Sequence, residues 1–409
     1  MEPEISYFQQ YRRERKLRQQ QYEQKYSKYY QNNSDEEMNE NKKQSSKCFS
    51  FSVIIILLMF IFCCIFYFMF YRTPKISFEE ILKEDEHYTD RTGTEIHYID
   101  QFKQPTYSDK TINTIKFNYE GKCREIFKYK PNNFRDLIFM AGYFEKKSIW
   151  NKQKKQVEQM LSMLSKNVPY AAKVFVLYGD SPDGGLVDLL ESFDFEVIRS
   201  PIKIPGGSPF HAAVQRYIDF ENYLIEYQKE YDRVAISDFK DVMWFADGFQ
   251  TVSQHELVLT QECSPIDEND LKCMTYSEES HFEWMKTCFG DILARKLRKE
   301  NQAIVDNGFI IGGIEPMMKL MKRFTNEIRM KKRYFDLKGF DQAILNYLYY
   351  KGMLNDLPIV VNKYSQRIAF QKFGGYKFDE RTKVITDKYT GCSPVVRHKL
   401  YGNDYFSIE

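Results

Sequence analysis

The sequence lacks several patterns that would identify a function directly. It contains no Cys-x-x-Cys pair, which argues against a structural zinc site. It contains no Gly-x-Gly-x-x-Gly, so a dinucleotide-binding fold would lack its fingerprint. The formal charge of the 409 residues is only +2, whereas proteins that bind nucleic acid are usually strongly basic. We therefore expect no nucleic-acid partner.

What the sequence does contain includes one long apolar run, from Phe49 to Tyr71. The run has no charged residue and is long enough to cross about 30 Å of hydrocarbon as a helix. A cleavable signal peptide would have a shorter apolar core nearer the start and a cleavage site of small residues. We therefore predict a retained transmembrane signal anchor at residues 48–71.

The composition on either side of this run predicts the domain organisation. Residues 1–47 are rich in Gln, Tyr, Asn and charge, and we expect a disordered cytosolic tail. Residues 72–130 are polar and weakly periodic, which favours a stem, and a globular domain is expected over 131–409. A short tail before the anchor and a large domain after it predict a single-pass type II protein. The expected location is the Golgi or endoplasmic reticulum membrane, with the domain in the lumen.

Five cysteines follow the predicted anchor, and a secretory lumen permits them to form disulfides. Cys263 and Cys273 are close enough in sequence to close a short loop. An odd number leaves at least one thiol unpaired or linked to another chain. The five are Cys123, Cys263, Cys273, Cys288 and Cys392.

Strand and helix patterns alternate from residue 137 onward. Short apolar runs typical of buried strands lie at Leu137–Gly142, Val174–Tyr178, Glu196–Ile198 and Val234–Ser237. Helical segments are predicted between them, at about 150–164, 186–193 and 211–231. This order indicates an α/β domain with a mostly parallel sheet flanked by helices.

The most informative segment is the end of the last of these strands. The apolar run Val234–Ser237 is followed by Asp238 and Asp241, with Lys240 between them. Open α/β sheets bind ligands outside the carboxyl ends of their strands, and two acids there can hold a hard divalent cation. The alternative is a strand that ends in a solvated, charged turn.

Four segments of the chain resemble, in the expected order, the glycosyltransferases of the GT-A fold. Asp238-Phe239-Lys240-Asp241-Val242 resembles the metal-binding segment of a subgroup that has Asp-x-Arg/Lys-Asp-Val in place of Asp-x-Asp. Asp306–Gly313 resembles the family's Asn-x-Gly-x-x-x-Gly segment, and Phe340–Asn346 its Asp-Gln-x-x-Leu-Asn helix. Pro394–Lys399 resembles the closing strand with its His. The resemblance covers roughly residues 134–402 and implies a Rossmann-like GT-A fold behind the anchor.

The resemblance also implies roles for individual residues. Asp241 and His398 would bind Mn²⁺ or Mg²⁺, and Asp238 would bind the metal or meet it and the ribose through water. Arg216, Asn307, Gly308 and Gln342 would contact a nucleotide-sugar donor. Asp341 would be the catalytic residue, either against sugar hydroxyls or as a base. The predicted roles are thus metal binding at Asp238, Asp241 and His398, donor binding at Asp238, Arg216, Asn307, Gly308 and Gln342, and catalysis at Asp341.

Each of these residues also has a purely structural interpretation. A lone His such as His398 is commonly a surface or core residue, and Arg216 can be a solvated helix arginine. Asp341 stands where an acid can stabilise a helix start. The glycines around Gly308 can mark a turn or a bulge, and Lys240 can point away from any ligand.

Three functions are compatible with these features. The first is a metal-dependent glycosyltransferase that moves a sugar from a nucleotide-sugar donor to a glycan, protein or lipid acceptor. The second is a non-catalytic carbohydrate- or cargo-binding membrane protein with the same fold. The third is a membrane-tethered phosphohydrolase; against it, Lys240 occupies the position where an aspartyl-phosphate enzyme has its second Asp.

Overall fold

The structure is a computed structural model that describes residues 101–143, 147–179, 185–267, 270–370 and 375–398. The α-helices of these residues are α1 Lys147–Asn167, α2 Leu186–Ser192, α3 Pro209–Tyr227, α4 Glu279–Phe289, α5 Asp291–Lys299, α6 Ile314–Met330 and α7 Phe340–Tyr350. The strands are β1 Asp136–Tyr143, β2 Ala172–Tyr178, β3 Phe195–Arg199, β4 Arg233–Ser237, β5 Val242–Trp244, β6 Leu257–Gln261, β7 Cys263–Pro265, β8 Leu271–Cys273, β9 Val305–Gly313, β10 Ile359–Asn362, β11 Ile368–Phe370, β12 Tyr376–Asp379, β13 Val384–Asp387 and β14 Val396–His398.

A mixed seven-stranded sheet organises the described part of the chain, with strand order β10-β6-β9-β4-β1-β2-β3. Strands β1, β2, β3 and β4 are mutually parallel, and β10 is parallel to β6. Strand β9 runs antiparallel to both of its neighbours, β4 and β6. The expected α/β class and the mostly parallel sheet flanked by helices are therefore confirmed.

The four strands predicted from apolar runs coincide with β1 to β4. All of β2 and β4 is buried, as expected for strands covered on both faces. The predicted helices correspond to α1, α2 and α3, and Ser208 begins α3 by accepting a hydrogen bond from the backbone N–H of His211. Local periodicity therefore located the first half of the sheet.

A buried ion pair joins the starts of β1 and β4. The Arg233 guanidinium donates to both carboxylate oxygens of Asp136, each at 2.7 Å. The same guanidinium donates to the carbonyl oxygens of Phe249 at 2.6 Å and Lys130 at 3.0 Å. Because these hydrogen bonds satisfy both charges without water, the pair fixes the amino ends of the two central strands.

A small second sheet brings β14 to the carboxyl edge of the main sheet. Strand β14 lies between β11 and β5, and it is antiparallel to β5. The register pairs His398 with Val242, which directly follows Asp241. The second sheet therefore brings His398 to the loop after β4.

Part of the segment predicted as a stem belongs to the packed domain. Ile112, Phe117, Tyr119 and Phe127 are buried in the main hydrophobic core. A disulfide joins Cys123 to Cys392, across 269 positions of sequence. The packed unit therefore includes residues from 107 onward that the sequence had placed in the stem.

The short disulfide expected from sequence is also present, between Cys263 and Cys273. Cys288 is left as a buried free thiol among the described cysteines. No helix in the described ranges is both long and apolar enough to cross a membrane. The predicted tail at 1–47 and anchor at 48–71 lie outside those ranges.

Candidate metal centre

Asp238 and Asp241 lie at the carboxyl edge of the main sheet, directly after β4. The backbone N–H of Asp238 donates to the carbonyl of Gly308 at 2.6 Å, which ties this loop to the neighbouring strand β9. The Asp238 side chain is 24 % exposed, whereas that of Asp241 is 5 % exposed. The alternative of a solvated charged turn is therefore wrong for Asp241, which is buried.

His398 faces both acids from strand β14. Its Nε2 atom lies 3.7 Å from Asp238 Oδ2 and 3.6 Å from Asp241 Oδ2. Ligand atoms from all three side chains lie within 4.8 Å of one another. The side chain is 1 % exposed, so the interpretation of His398 as a surface residue is wrong.

Asp306 orients this histidine. Its Oδ2 lies 2.7 Å from His398 Nδ1, and both side chains are buried. The contact favours a proton on Nδ1, which directs the lone pair of Nε2 towards Asp238 and Asp241. Sequence reasoning had not assigned Asp306 a role, although alternation along a strand puts it on the same face as Gly308.

Gly308 leaves the space in which these side chains meet. A Cβ atom at this position would lie 2.4 Å from His398 Cε1 and 2.6 Å from Asp238 Oδ2. Because real Cβ atoms do not approach so closely, any other residue would displace the histidine or the acid. The glycine lies within β9 and not in a turn, but the pairing of β9 with β6 shifts register between Asp306 and Ile311, as a bulge there would do.

The donor chemistry of this group fits a divalent cation. Mg²⁺ and Mn²⁺ prefer carboxylate oxygens, and imidazole is a good ligand for transition metals. Cation–ligand distances of about 2.0–2.2 Å place neighbouring ligand atoms roughly 3–4 Å apart, as the two distances to His398 Nε2 are. Asp238, Asp241 and His398 are therefore the residues that would hold the ion.

Arg216 provides a fixed positive charge beside the acids. Its guanidinium pairs with Asp238, and a second nitrogen lies 3.4 Å from Asp341 Oδ2. Burial lowers the pKa of Arg216, but Tyr217, Asp238 and Asp341 raise it by more, so the group stays cationic. Only 8 % of the residue is exposed, so the interpretation as a solvated helix arginine is wrong.

Asp341 lies in the first turn of α7 and points towards Arg216. Burial raises the pKa of its carboxyl group, and Arg216 opposes part of that rise. Gly339 caps α7 without a side-chain hydrogen bond, while Asp341 accepts one from the backbone N–H of Gln342 at 3.0 Å. The position of Asp341 is therefore compatible with two roles: it can stabilise the start of α7, and it can contact a bound ligand.

Asn307 and Gln342 have different surroundings. Asn307 is buried beside Gly308, and its carbonyl accepts a hydrogen bond from Tyr217 at 3.0 Å. The Gln342 side chain instead donates to the carbonyl of Val305 at 2.5 Å. Gln342 therefore holds α7 against β9, while Asn307 belongs to the group around the acids.

A cleft of about 220 Å³ opens next to the metal centre, at the carboxyl ends of β1, β2 and β4. Lys240 lines this cleft, and burial lowers its pKa while Asp241 and Asp238 oppose part of the change. Sequence reasoning had not singled out Tyr143 and Tyr178, which also line it. The other lining residues are Ala141, Gly142, Pro209, Ala212, Ala213, Arg216, Asp238, Phe239 and Asp241.

Comparison with known proteins adds no family assignment. No family model matches the chain, and no curated protein matches it. The fold and the site define a mixed α/β protein with a candidate metal centre at the carboxyl edge of its main sheet.

Proposed function

We propose that this protein is a metal-dependent glycosyltransferase with a GT-A fold. It would move a sugar from a nucleotide-sugar donor to a glycan, protein or lipid acceptor. One observation carries the proposal: residues of the four segments that resemble the family lie together around Asp238, at the carboxyl edge of the main sheet. Asp238 and Asp241 follow β4, Asn307 and Gly308 belong to β9, Asp341 begins α7 and His398 ends β14.

The cofactor of this proposal is Mn²⁺ or Mg²⁺, held by Asp238, Asp241 and His398. When bound, such an ion acts as a Lewis acid towards the diphosphate of the donor and stabilises the negative charge that develops there. The mixed oxygen and nitrogen ligand set favours Mn²⁺ over Mg²⁺. Asp306 would keep His398 in the orientation that presents Nε2.

The protein's own residues would bind and orient the donor. Arg216 is buried, cationic and adjacent to the cleft, so it can contact a diphosphate without losing its charge. Lys240 lines the same cleft and adds a second cationic side chain. Asp341, held by Arg216, would face the sugar hydroxyls, and Asn307 would contribute its amide.

The proposal includes the lumen of the Golgi or endoplasmic reticulum, reached through the predicted anchor at 48–71. Its support is the pair of disulfides, because disulfides persist in oxidising compartments and are rare in the cytosol. The membrane would then be a partner through one transmembrane helix.

The first test is a thermal-stability screen of the full-length protein with sugar nucleotides, with and without Mn²⁺. A bound ligand at 100 times its Kd stabilises the folded state by about 2.7 kcal/mol, which gives a measurable rise in Tm. We expect at least one sugar nucleotide to raise the Tm, and only when Mn²⁺ is present. A screen without any such rise would contradict the proposal.

The matched substitutions are Asp241→Asn and Asp232→Asn. Asp241 belongs to the metal centre, whereas Asp232 lies at the other end of β4 and pairs with Arg135 at the surface. We expect Asp241→Asn to abolish the Mn²⁺-dependent rise in Tm and Asp232→Asn to retain it. Donor binding without transfer or donor hydrolysis across a broad acceptor panel would instead favour the non-catalytic binding protein.

A further inference from the structure

A cavity of about 670 Å³ lies where α4, α5 and α7 meet. Phe289 at the end of α4, Ile292 in the first turn of α5 and Tyr350 at the end of α7 all line it. Among the described residues, its lining shares none with the cleft beside the metal centre. Cavities of about 300–1,000 Å³ are typical of sites for small organic ligands. We refer to this space as the α5 cavity.

The apolar wall of the α5 cavity is a packed part of the fold. Phe289, Leu293 and Tyr350, which line the cavity, pack against a hydrophobic cluster that is separate from the main core and includes the buried Leu297. The ring of Phe289 also stacks on that of Tyr347, with the ring centroids 4.0 Å apart. Packed side chains therefore set the shape of this wall.

Ile292 extends the apolar wall into solvent. It is 89 % exposed, whereas its neighbour Leu293 is half-buried. A single exposed apolar side chain is ordinary on a protein surface. Ile292 differs because it continues the wall of a cavity, so an apolar ligand could cover it and the wall together.

Cationic side chains border the same cavity. Lys296 and Lys351 line it, and the Nζ atom of Lys331 lies 4.8 Å from the centroid of the Phe289 ring. The described lining includes one acid, Glu300, whose Oε1 lies 3.9 Å from Lys296 Nζ. Because cations outnumber acids around the cavity, its edge is suited to an anionic group.

Helix α5 has the composition of a helix that lies at a membrane surface. Basic amphipathic helices bind anionic lipids through apolar side chains that meet the acyl chains and cations that meet the headgroups. Both arginines of α5 pair with acids of the protein, so we assign a ligand to the lysines that line the cavity. The apolar residues of α5 that line the cavity are Ile292, Leu293 and Leu297, and the basic residues of α5 are Arg295, Lys296, Arg298 and Lys299.

We infer that the α5 cavity binds an anionic phospholipid of the membrane. An acyl chain lies against the apolar wall and Ile292, and the phosphate lies at Lys296 and Lys351. A free phosphate would leave the apolar wall unused, and a neutral lipid would leave the lysines unused. The sequence predicts an anchor at 48–71, which would keep such lipids close to the protein. The inference goes beyond the proposed function, because it needs neither the metal centre nor sugar transfer.

The test is photo-crosslinking of the full-length protein in mixed micelles of a neutral detergent, phosphatidylserine and phosphatidylcholine. Two preparations differ only in which of the two lipids carries a diazirine in its acyl chain, and mass spectrometry of peptides locates the label. We expect phosphatidylserine to label residues 289–297 at least about fivefold more than phosphatidylcholine, the effect of one lysine near an anionic surface. Glycerophosphoserine, the headgroup without acyl chains, should not compete at the concentration of the lipid.

Three exposed positions test the two halves of the site. Ile292→Asp removes the apolar contact and adds a negative charge, so the label should fall at least about fivefold. Lys351→Gln removes one cation and should lower the label about fivefold. Glu300→Gln removes the acid of the lining and should raise the label. All three side chains are exposed, so the variants should fold.

Two matched variants serve as controls. Ile115→Asp changes an isoleucine that is 49 % exposed and lies outside the cavity. Lys319→Gln changes a lysine that pairs with Glu315 four positions away on α6, as Lys296 pairs with Glu300. Both should be labelled at residues 289–297 as strongly as the wild type.

The inference is overturned if residues 289–297 remain unlabelled, or if both lipids label them equally. Unchanged label in both Ile292→Asp and Lys351→Gln would overturn it as well, as would full competition by glycerophosphoserine. If a second copy of the chain covered the cavity instead, protein dimers that Ile292→Asp dissociates would replace the lipid label, and the inference would also fall. Mn²⁺-dependent nucleotide binding should be the same in Ile292→Asp and the wild type, so this result is independent of the proposed function.

Discussion

At the scale of single residues, the histidine at the end of β14 and the acid behind it act as a unit. His398 faces two carboxylates through Nε2 and a third, Asp306, through Nδ1. Metal-binding histidines usually donate their other ring N–H to such a carboxylate, which fixes the ring and raises its basicity. Asp306 would therefore position a proposed metal ligand without touching the ion itself.

This arrangement predicts a graded effect of substitutions at Asp306. Asp306→Asn keeps an acceptor for His398 Nδ1 but removes the charge, and Asp306→Ala removes both. We expect Mn²⁺ affinity, measured by titration calorimetry, to fall by roughly 10–100-fold, with Ala the weaker binder. Asp379→Asn changes an exposed acid at the end of β12 and serves as the control. Unchanged affinity in a folded Asp306→Ala variant would rule out the positioning role.

The close packing around Gly308 leads to a second prediction about Mn²⁺ binding. In Gly308→Ala the new methyl group would clash with His398 Cε1 and Asp238 Oδ2. We expect Mn²⁺ binding to be lost in the calorimeter, since the histidine or the acid must move. In Gly248→Ala the nearest atom would lie 3.0 Å away, on Trp244, and metal binding should persist. Equal Mn²⁺ affinity in the two variants would argue against the assigned site.

At the scale of elements, the loop after β4 is held in place from several sides. Strand β9 accepts the N–H of Asp238, and β14 pairs with β5 just beyond Asp241. Helix α7 is fixed to β9 through Asn346, which both donates to and accepts from the backbone of Val305. The positions of Asp238 and Asp341 relative to each other therefore depend on β9.

Two ion pairs between the same segments allow a matched stability prediction. The Asp136–Arg233 pair is buried, whereas the neighbouring Asp232–Arg135 pair is partly exposed. Asp136→Asn leaves a buried guanidinium without its counter-charge and should lower the free energy of unfolding by about 3–5 kcal/mol. Asp232→Asn should cost about 1 kcal/mol or less. Denaturant unfolding measures both, and similar losses would contradict this account.

Some strands could be predicted from the sequence, and others could not. Strands β1 to β4 are apolar runs bounded by polar segments, and such runs determine strands locally. Strand β9 contains Asp306, Asn307 and three glycines, so its sequence resembles a turn although every residue in it is buried. Its place between β4 and β6 comes from tertiary pairing, which no local pattern encodes.

At the scale of the whole molecule, an early segment of the domain holds residues 392–394, just before β14, in place. The Cys123–Cys392 disulfide is reinforced by Tyr119, whose hydroxyl donates to the carbonyl of Pro394 at 2.7 Å. Ser393 accepts a hydrogen bond from the backbone N–H of Asn118 at 2.9 Å. These contacts fix the residues that lead into β14 and His398.

The two disulfides therefore should differ in their effects. Removing Cys123–Cys392 with Ser substitutions opens a long loop and should cost about 5 kcal/mol in the loop-entropy account, against about 3 kcal/mol for Cys263–Cys273. Only the first removal should also weaken Mn²⁺ binding, because it releases the segment before His398. Calorimetry of both double variants gives the Tm and the affinity. Equal Mn²⁺ affinities would show that β14 is held without the disulfide.

The sequence alone determined the alternation of β1 to β4 with their helices and placed Asp238 and Asp241 at a strand end. Both follow from local periodicity and from the abrupt change from apolar to acidic residues. Only the tertiary structure decided that Asp306 lies against His398, 92 positions later in the chain, and that Arg216 is buried between two acids. The physical reason is that strand pairing and side-chain packing join residues whose sequence separation carries no local signal.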